Sequence, residues 1–183
     1  PELALVGYPP EDLLFRPGFL DQVKHECLRI QQTTKETIGD CGLVFGLPYE
    51  HAGHLYNAAT YLNNGVIEQF FFKQSLPNYS VFDEVRYFSA GHESAVLEVK
   101  GNTIGLLICE DVWQPEIVKQ SKANGAQAII AINASPFHIN KHAERIDILK
   151  AHARQFDIPI MYLNMTGGQD ELVFDGDSLA VDR

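Results

Sequence analysis

The chain has 183 residues, enough for one domain with a sizeable core, and its 45% hydrophobic and 21% charged content is that of an ordinary globular protein. Its 14 basic and 24 acidic residues leave a net charge of −10, which disfavours nucleic acid and anionic membrane as partners. No apolar run approaches the roughly 20 residues needed to cross a bilayer, and the opening Pro1-Glu2 is not the start of a signal peptide.

In chain order, Leu3–Val6 reads as the tail of a strand and Gly7-Tyr8-Pro9-Pro10 as a turn, because consecutive prolines end regular pairing. A helix is predicted over Gly18–Thr37, with Phe19, Leu20, Val23, Cys27 and Ile30 at helical spacing, so Cys27 falls on the packed stripe. Gly42–Pro48 is a strand, and Leu55–Leu62 and Val66–Phe72 flank Asn63-Asn64-Gly65, a hairpin signal because Asn and Gly tolerate positive φ. The irregular stretch from Lys73 to Gly91 is of a length that is often functional. Ala95–Val99 and Thr103–Ile108 form a second hairpin around Gly101. Beyond it a helix (Pro115–Asn124), a strand (Ala128–Ile132), a helix (Asn140–Phe156) and a strand (Ile160–Leu163) alternate, which implies helices layered on a sheet. Leu172–Phe174 and Leu179–Val181 suggest a last hairpin around Asp175-Gly176-Asp177. No repeat, low-complexity tract or linker divides the chain.

Three cysteines, Cys27, Cys41 and Cys109, form no zinc-like pair and cannot all be disulfide-bonded, so a reducing, cytoplasmic setting is expected. Cys109 stands apart because it follows the apolar run Ile104–Ile108 and precedes Glu110-Asp111, where a core strand reaches a sheet edge. A thiol there either packs as a small hydrophobe or does chemistry. Glu2 and Lys73 also flank β-like runs, so one sheet edge could gather all three. A carboxylate would then take the thiol proton, the thiolate would attack a carbonyl or nitrile carbon, and an ammonium would stabilise the oxyanion. Taken singly, Lys73 is more often a solvated strand end and Glu2 more often an ordinary terminal charge. His51, His54, His138, His142 and His152 match no zinc pattern and are expected in solvent. There is no papain-type signature around Cys109 and no Gly-rich phosphate loop.

Three stretches carry a resemblance: PELALVGYPPEDLL at Pro1–Leu14, KQSLPNYSVFDEVRYF at Lys73–Phe88 and LLICEDVW at Leu106–Trp113. They resemble the nitrilase, or carbon–nitrogen hydrolase, superfamily, and within it the glutaminase domains of glutamine-dependent NAD+ synthetases. The resemblance implies a nitrilase-type α-β-β-α sandwich, here incomplete at both ends, with residues 1–183 forming a partial glutamine amidotransferase domain and the synthetase domain absent from this chain. The missing initial Met agrees with that expectation. By the same resemblance Glu2 is the general base, Lys73 the oxyanion-stabilising lysine, Cys109 the nucleophile, and Glu84 an acid that holds the lysine's charge and orientation. Tyr8, Tyr79 and Phe82 would contact bound glutamine, the Glu110 N–H would be a second oxyanion donor, and Ser135 and Lys141 would meet the substrate's amino-acid end. Lys141 stands where an arginine is found in relatives, so a point charge replaces a bidentate fork. A tyrosine corner for Tyr8 and core filling for Phe82 are the structural alternatives. Cys109 is expected to be partly exposed, with its thiolate stabilised by Lys73.

The function so implied is hydrolysis of the glutamine amide through a glutamyl thioester, supplying ammonia for ATP-dependent conversion of deamido-NAD+ to NAD+. The partners expected are glutamine, the synthetase domain of the same parent chain and further copies in a homo-oligomer. No cofactor is expected in this domain, whereas ATP and Mg belong to the synthetase domain. The alternatives are a free-standing amidase or nitrilase for another small amide, and a catalytically silent interaction domain.

Overall fold

Three hairpins of this protein turn on the same device, a two-residue loop with positive φ at both positions, which matches the right-handed twist of the strands it joins. Ala52-Gly53 (φ 49° and 80°) joins β1 (Gly42–His51) to β2 (His54–Asn63), Asn64-Gly65 (48° and 74°) joins β2 to β3 (Val66–Phe72), and Lys100-Gly101 (51° and 79°) joins β4 (Val96–Val99) to β5 (Asn102–Ile108). The structure, a computed structural model, describes residues 1–183, which divide into two compact units, residues 2–91 and 92–183.

In the first unit β1, β2 and β3 form an antiparallel sheet with β2 central. Pro48 lies opposite Asn57 and is tolerated because β1 is an edge strand, where a missing N–H leaves no ladder bond broken. Helix α1 (Phe19–Thr37) lays Val23 and Cys27 against Phe45 and Leu47, with Phe19, Ile30, Ile67 and Phe70 around them. Cys27 is thus a packing residue, as its spacing predicts, and burial pushes its thiol up. Residues 2–6 form turns rather than the expected strand. Leu3 adopts φ 44°, its carbonyl accepts the N–H groups of Val6 and Gly7, and a bond from the Leu5 N–H to the Gly46 carbonyl ties the segment to β1.

In the second unit five strands run in the order β10-β7-β6-β5-β4, where β6 is Ala128–Asn133, β7 Ile160–Asn164 and β10 Leu179–Val181. β5, β6 and β7 are parallel and are linked through α2 (Pro115–Ala123) and α3 (Lys141–Phe156), while both edge strands are antiparallel. Parallel strands covered by helices read as nearly continuous apolar runs, which is why Ile104–Ile108 shows no alternation. Gly105 lets α2 approach closely, since a Cβ there would lie 3.1 Å from Ile129 and 3.2 Å from Ser121. Leu107, Val112, Ile129, Leu149 and Ile160 are central to the core. The expected hairpin around Gly176 does not form. β9 (Leu172–Asp175) pairs instead with β8 (Thr166–Gln169), and β10 joins the main sheet beside β7. Turn chemistry at 175–177 is compatible with either arrangement, and packing of Val181 into the core selects the second.

Candidate active site

Lys73 follows β3 directly and is held by its backbone on two sides. Its N–H donates to the Asn57 carbonyl (2.9 Å), and its own carbonyl accepts the Gly91 N–H (2.7 Å). Gly91 has to be glycine for this return, because a Cβ would stand 2.5 Å from the Phe72 carbonyl oxygen. The side chain is completely buried, a position that an ammonium group occupies only with compensating charge. That charge comes from the turn at Glu2 and the 3-10 turn Glu84–Arg86. Lys73 Nζ donates to Glu2 Oε1 at 2.6 Å and to Glu84 Oε1 at 2.7 Å. Asn57, on the central strand, donates through Nδ2 to Glu2 Oε1 (2.8 Å) and to Glu84 Oε2 (3.3 Å), so one amide ties both acids together. The Tyr8 hydroxyl donates to Glu84 Oε1 at 2.8 Å.

Two buried carboxylates around one ammonium are electrostatically unequal to it. Burial pushes the Glu84 carboxyl up, Lys73 pulls it back down, and the neighbouring Glu2 raises it again. Both acids therefore meet the Lys73 ammonium directly, with Glu84 beside the lysine where the resemblance expects an acid. Beyond Tyr8 the cluster continues as aromatic rings. Phe82 meets Tyr8 edge-on with centroids 6.3 Å apart and Tyr79 at 5.5 Å, and Tyr79 is 55% exposed. The Tyr8 hydroxyl thus serves the carboxylate of Glu84, 76 residues away in sequence. Glu2, Tyr8, Lys73, Tyr79, Phe82 and Glu84 form one contiguous group within residues 2–91.

In the other unit Cys109 ends β5 and opens the 3-10 turn Cys109–Trp113. It adopts φ 48°, a left-handed conformation that non-glycine residues rarely hold and that commonly marks functional turns. Asp111 stabilises the turn by accepting the Ile108 N–H through Oδ2 at 3.1 Å, and Gln114 caps it with bonds to the Asp111 carbonyl (3.2 Å) and to Glu110 Oε1 (3.4 Å). The thiol is buried, with 6% of the residue exposed, rather than partly open as expected. Cys109 follows Ile108 and precedes Val112, both themselves buried, where β5 ends.

Ser135 follows β6. Its N–H donates to Asn164 Oδ1 (2.8 Å), and its carbonyl accepts from Asn164 Nδ2 (3.2 Å) and from Arg145 Nη2 (2.9 Å). Arg145 is fully buried on α3 and forks onto both oxygens of Asp175 (2.9 and 3.0 Å) and onto Asp177 Oδ2 (3.1 Å). Against the upward push of burial, His142 and Arg145 hold the Asp177 carboxyl below its usual range. Lys141 opens α3 and places its ammonium 4.1 Å from the centre of the Trp113 ring and 3.7 Å from Glu144. Sequence reasoning missed Asn57, Gly91, Asn164 and Arg145. Of these only Arg145 carried a signal, since it lies on the apolar stripe of α3, four residues from Leu149. His51, His54, His138 and His142 are exposed as expected. His152 is instead buried on α3, where burial pulls its imidazole down against the opposing influence of the Trp113 backbone. No group of three or more His, Cys, Asp or Glu side chains is arranged to hold a metal ion, and no helix is long and apolar enough to cross a membrane.

Comparison with known proteins bears on the family and the fold. A glutamine-dependent NAD(+) synthetase of Xylella fastidiosa strain 9a5c is 46% identical over 184 residues, covering 100% of this chain and 33% of the relative. The glutamine-dependent NAD+ synthetase of Acinetobacter baumannii, solved in complex with ADP, superposes with a TM-score of 0.92 at 38% identity over 100% of this chain and 34% of its own. A mutant of the amidase from Nesterenkonia sp. AN1, showing covalent addition of the acetamide moiety of fluoroacetamide at its active-site cysteine, superposes with a TM-score of 0.85 at 26% identity, covering 100% of this chain and 67% of the amidase. The chain spans about a third of the length of the curated relatives it matches. The fold class is α/β of the nitrilase type. The carbon–nitrogen hydrolase model matches residues 1–183, from the buried acid at Glu2 through the thiol at Cys109 to the last strand, and this chain belongs to that family.

Proposed function

We propose that residues 1–183 hydrolyse the side-chain amide of glutamine. Cys109 Sγ attacks the amide carbon as Glu2 takes the thiol proton, and the oxyanion is met by Lys73 and by the Glu110 N–H. The C–N bond then breaks, Glu2 returns its proton to the departing nitrogen, and ammonia leaves a glutamyl thioester on Cys109. Water attacks the thioester, Glu2 takes its proton, the C–S bond breaks, Glu2 returns the proton to the Cys109 sulfur and glutamate departs. Glu84 keeps Lys73 charged, the rings of Tyr8, Tyr79 and Phe82 wall the substrate, and Ser135 and Lys141 recognise its amino-acid end. In the parent protein the ammonia is delivered to a synthetase domain, which uses ATP and Mg to convert deamido-NAD+ to NAD+ within a homo-oligomer. Channelling suits the chemistry, because free ammonia is largely protonated in neutral water and is then not a nucleophile.

The observation that carries this reading is the completely buried Lys73 clasped by Glu2 and Glu84. An apolar side chain fills such a space at no electrostatic penalty, so an ammonium between two acids points to a task for its charge. The likeness to NAD+ synthetases supports glutamine as the amide donor, and the covalent adduct at the cysteine of the Nesterenkonia amidase supports the nucleophile. In the full-length protein Cys109→Ala is expected to abolish glutamine-dependent NAD+ synthesis while leaving ammonia-dependent synthesis intact. Equal loss of both activities would show that the cysteine is structural. The same amidase likeness favours a second reading, a free-standing amidase for another small amide, and turnover of such an amide with glutamine left untouched would select it.

A further inference from the structure

Trp113 lies four residues beyond Cys109, at the end of the same 3-10 turn, and its half-buried indole packs against the core of the second unit. The Lys141 ammonium sits over the face of that ring, 4.1 Å from its centre, a separation at which the ring quadrupole attracts a cation. Glu144 lies 3.7 Å away on the next turn of α3 and also reaches His138, at 3.4 Å, so its charge is shared. Lys141 keeps 19% of its side chain exposed. Arg145, the other cation near Ser135, has its guanidinium committed to Asp175, Asp177 and the Ser135 carbonyl and is fully buried. His142 is likewise engaged with Asp177. Lys141 is therefore the cation on this part of α3 that is placed to receive a further anionic partner.

A lysine ammonium is a point charge on a flexible four-carbon stem and lacks the preformed fork of arginine. Something must restrict its rotamers if it is to hold a carboxylate in one position. We infer that Trp113 is a positioning residue whose indole face seats the Lys141 ammonium, and that this pair determines the preference for an amide bearing an α-carboxylate. This rests on the proposed role of Lys141 at the amino-acid end of glutamine. It also assigns Trp113 a connection to the nucleophile, since substrate recognition at Lys141 and the turn that begins at Cys109 share one side chain.

The test uses the full-length protein and follows glutamine hydrolysis at steady state. Trp113→Leu is expected to raise KM for glutamine about 5- to 30-fold with kcat nearly unchanged, and Trp113→Phe to fall between it and the wild type, because the indole is the strongest cation-binding face. Lys141→Met is expected to raise KM comparably, and the double variant to be no worse than Lys141→Met alone. Alkylation of Cys109 by iodoacetamide, which carries no carboxylate, is expected to proceed at the wild-type rate in Trp113→Leu. Difference fluorescence against Trp113→Phe isolates this indole, whose emission should respond to glutamine in the wild type and not in Lys141→Met. The inference is overturned if Trp113→Leu lowers kcat and slows Cys109 alkylation, if its effect adds to that of Lys141→Met, or if the indole emission ignores saturating glutamine. If Lys141→Met itself leaves KM unchanged, the proposed role of Lys141 fails and takes this inference with it. A raised KM in Lys141→Met with none in Trp113→Leu sinks this inference alone.

Discussion

Removing the charge of Lys73 is expected to unbalance its acids in a pH-dependent way. In Lys73→Met, the bonds at 2.6 Å to Glu2 and 2.7 Å to Glu84 vanish, and the two carboxylates lose their ammonium partner while keeping the bonds from the Asn57 amide and the Tyr8 hydroxyl. Two charge-assisted bonds at about 1.5–3 kcal/mol each amount to about 3–6 kcal/mol and a buried pair broken from one side to about 3–5 kcal/mol, so a loss of about 3–5 kcal/mol is expected at pH 8. The sign with pH follows from Glu84. Burial already raises its folded pKa above the ordinary 4.5 while Lys73 opposes the rise, so removing Lys73 moves it further up. A carboxyl raised in the folded state binds its proton more tightly there than in the unfolded chain. Stability therefore falls as pH rises from the unfolded value through the folded one, and the deficit of Lys73→Met should be largest at pH 8 and shrink toward pH 5. Hydrogen exchange of the β2 and β3 amides, corrected for intrinsic rates, should report the loss as two to four orders of magnitude of protection at pH 8. Adding Glu84→Gln to Lys73→Met should restore roughly half of it, because one unpaired charge has gone. A deficit that is equal at both pH values, or a double variant no better protected than the single one, would refute the reasoning.

Arg145→Met should destabilise the second unit by about 2–4 kcal/mol, less than a fully enclosed pair, because the Asp175 and Asp177 carboxylates it abandons are 23% exposed and partly hydrated. Arg145→Lys should recover only part of this, as a point charge cannot fork across both acids; urea unfolding of the two variants checks both statements. Burial pulls the folded pKa of His152 below the ordinary 6.5 against the opposing Trp113 backbone, so stability is lost as pH falls through the ordinary value toward the folded one. His152→Leu should flatten this acid limb, removing up to about 1.4 kcal/mol per pH unit, and thermal melts between pH 7.5 and 5.5 that keep the wild-type slope would contradict it.

Local rules read the short-range parts of this protein well. Apolar spacing from Phe19 to Ile30 predicts α1, Asn64-Gly65 predicts the turn between β2 and β3, and the change from Ile108 to Cys109-Glu110 marks the end of a buried strand. Each depends on a few neighbouring residues, where dihedral preference and side-chain period leave little choice. The same sequence places an acid, an amine and a thiol beside β-like runs, which is enough to suggest the chemistry.

What the sequence could not supply is the choice among partners. β9 pairs with β8 and β10 with β7, although the turn at Gly176 suits a hairpin between β9 and β10, because the main sheet offers Val181 a place in the core. Asn57 reads as an ordinary polar residue in a strand until the fold brings Glu2 and Glu84 to its amide, 55 and 27 residues away in sequence. Gly91 shows its purpose only beside Phe72, and Arg145 only between Asp175 and Ser135. Charge compensation and close packing act through space over a few ångströms, and only the tertiary structure decides which residues share that space.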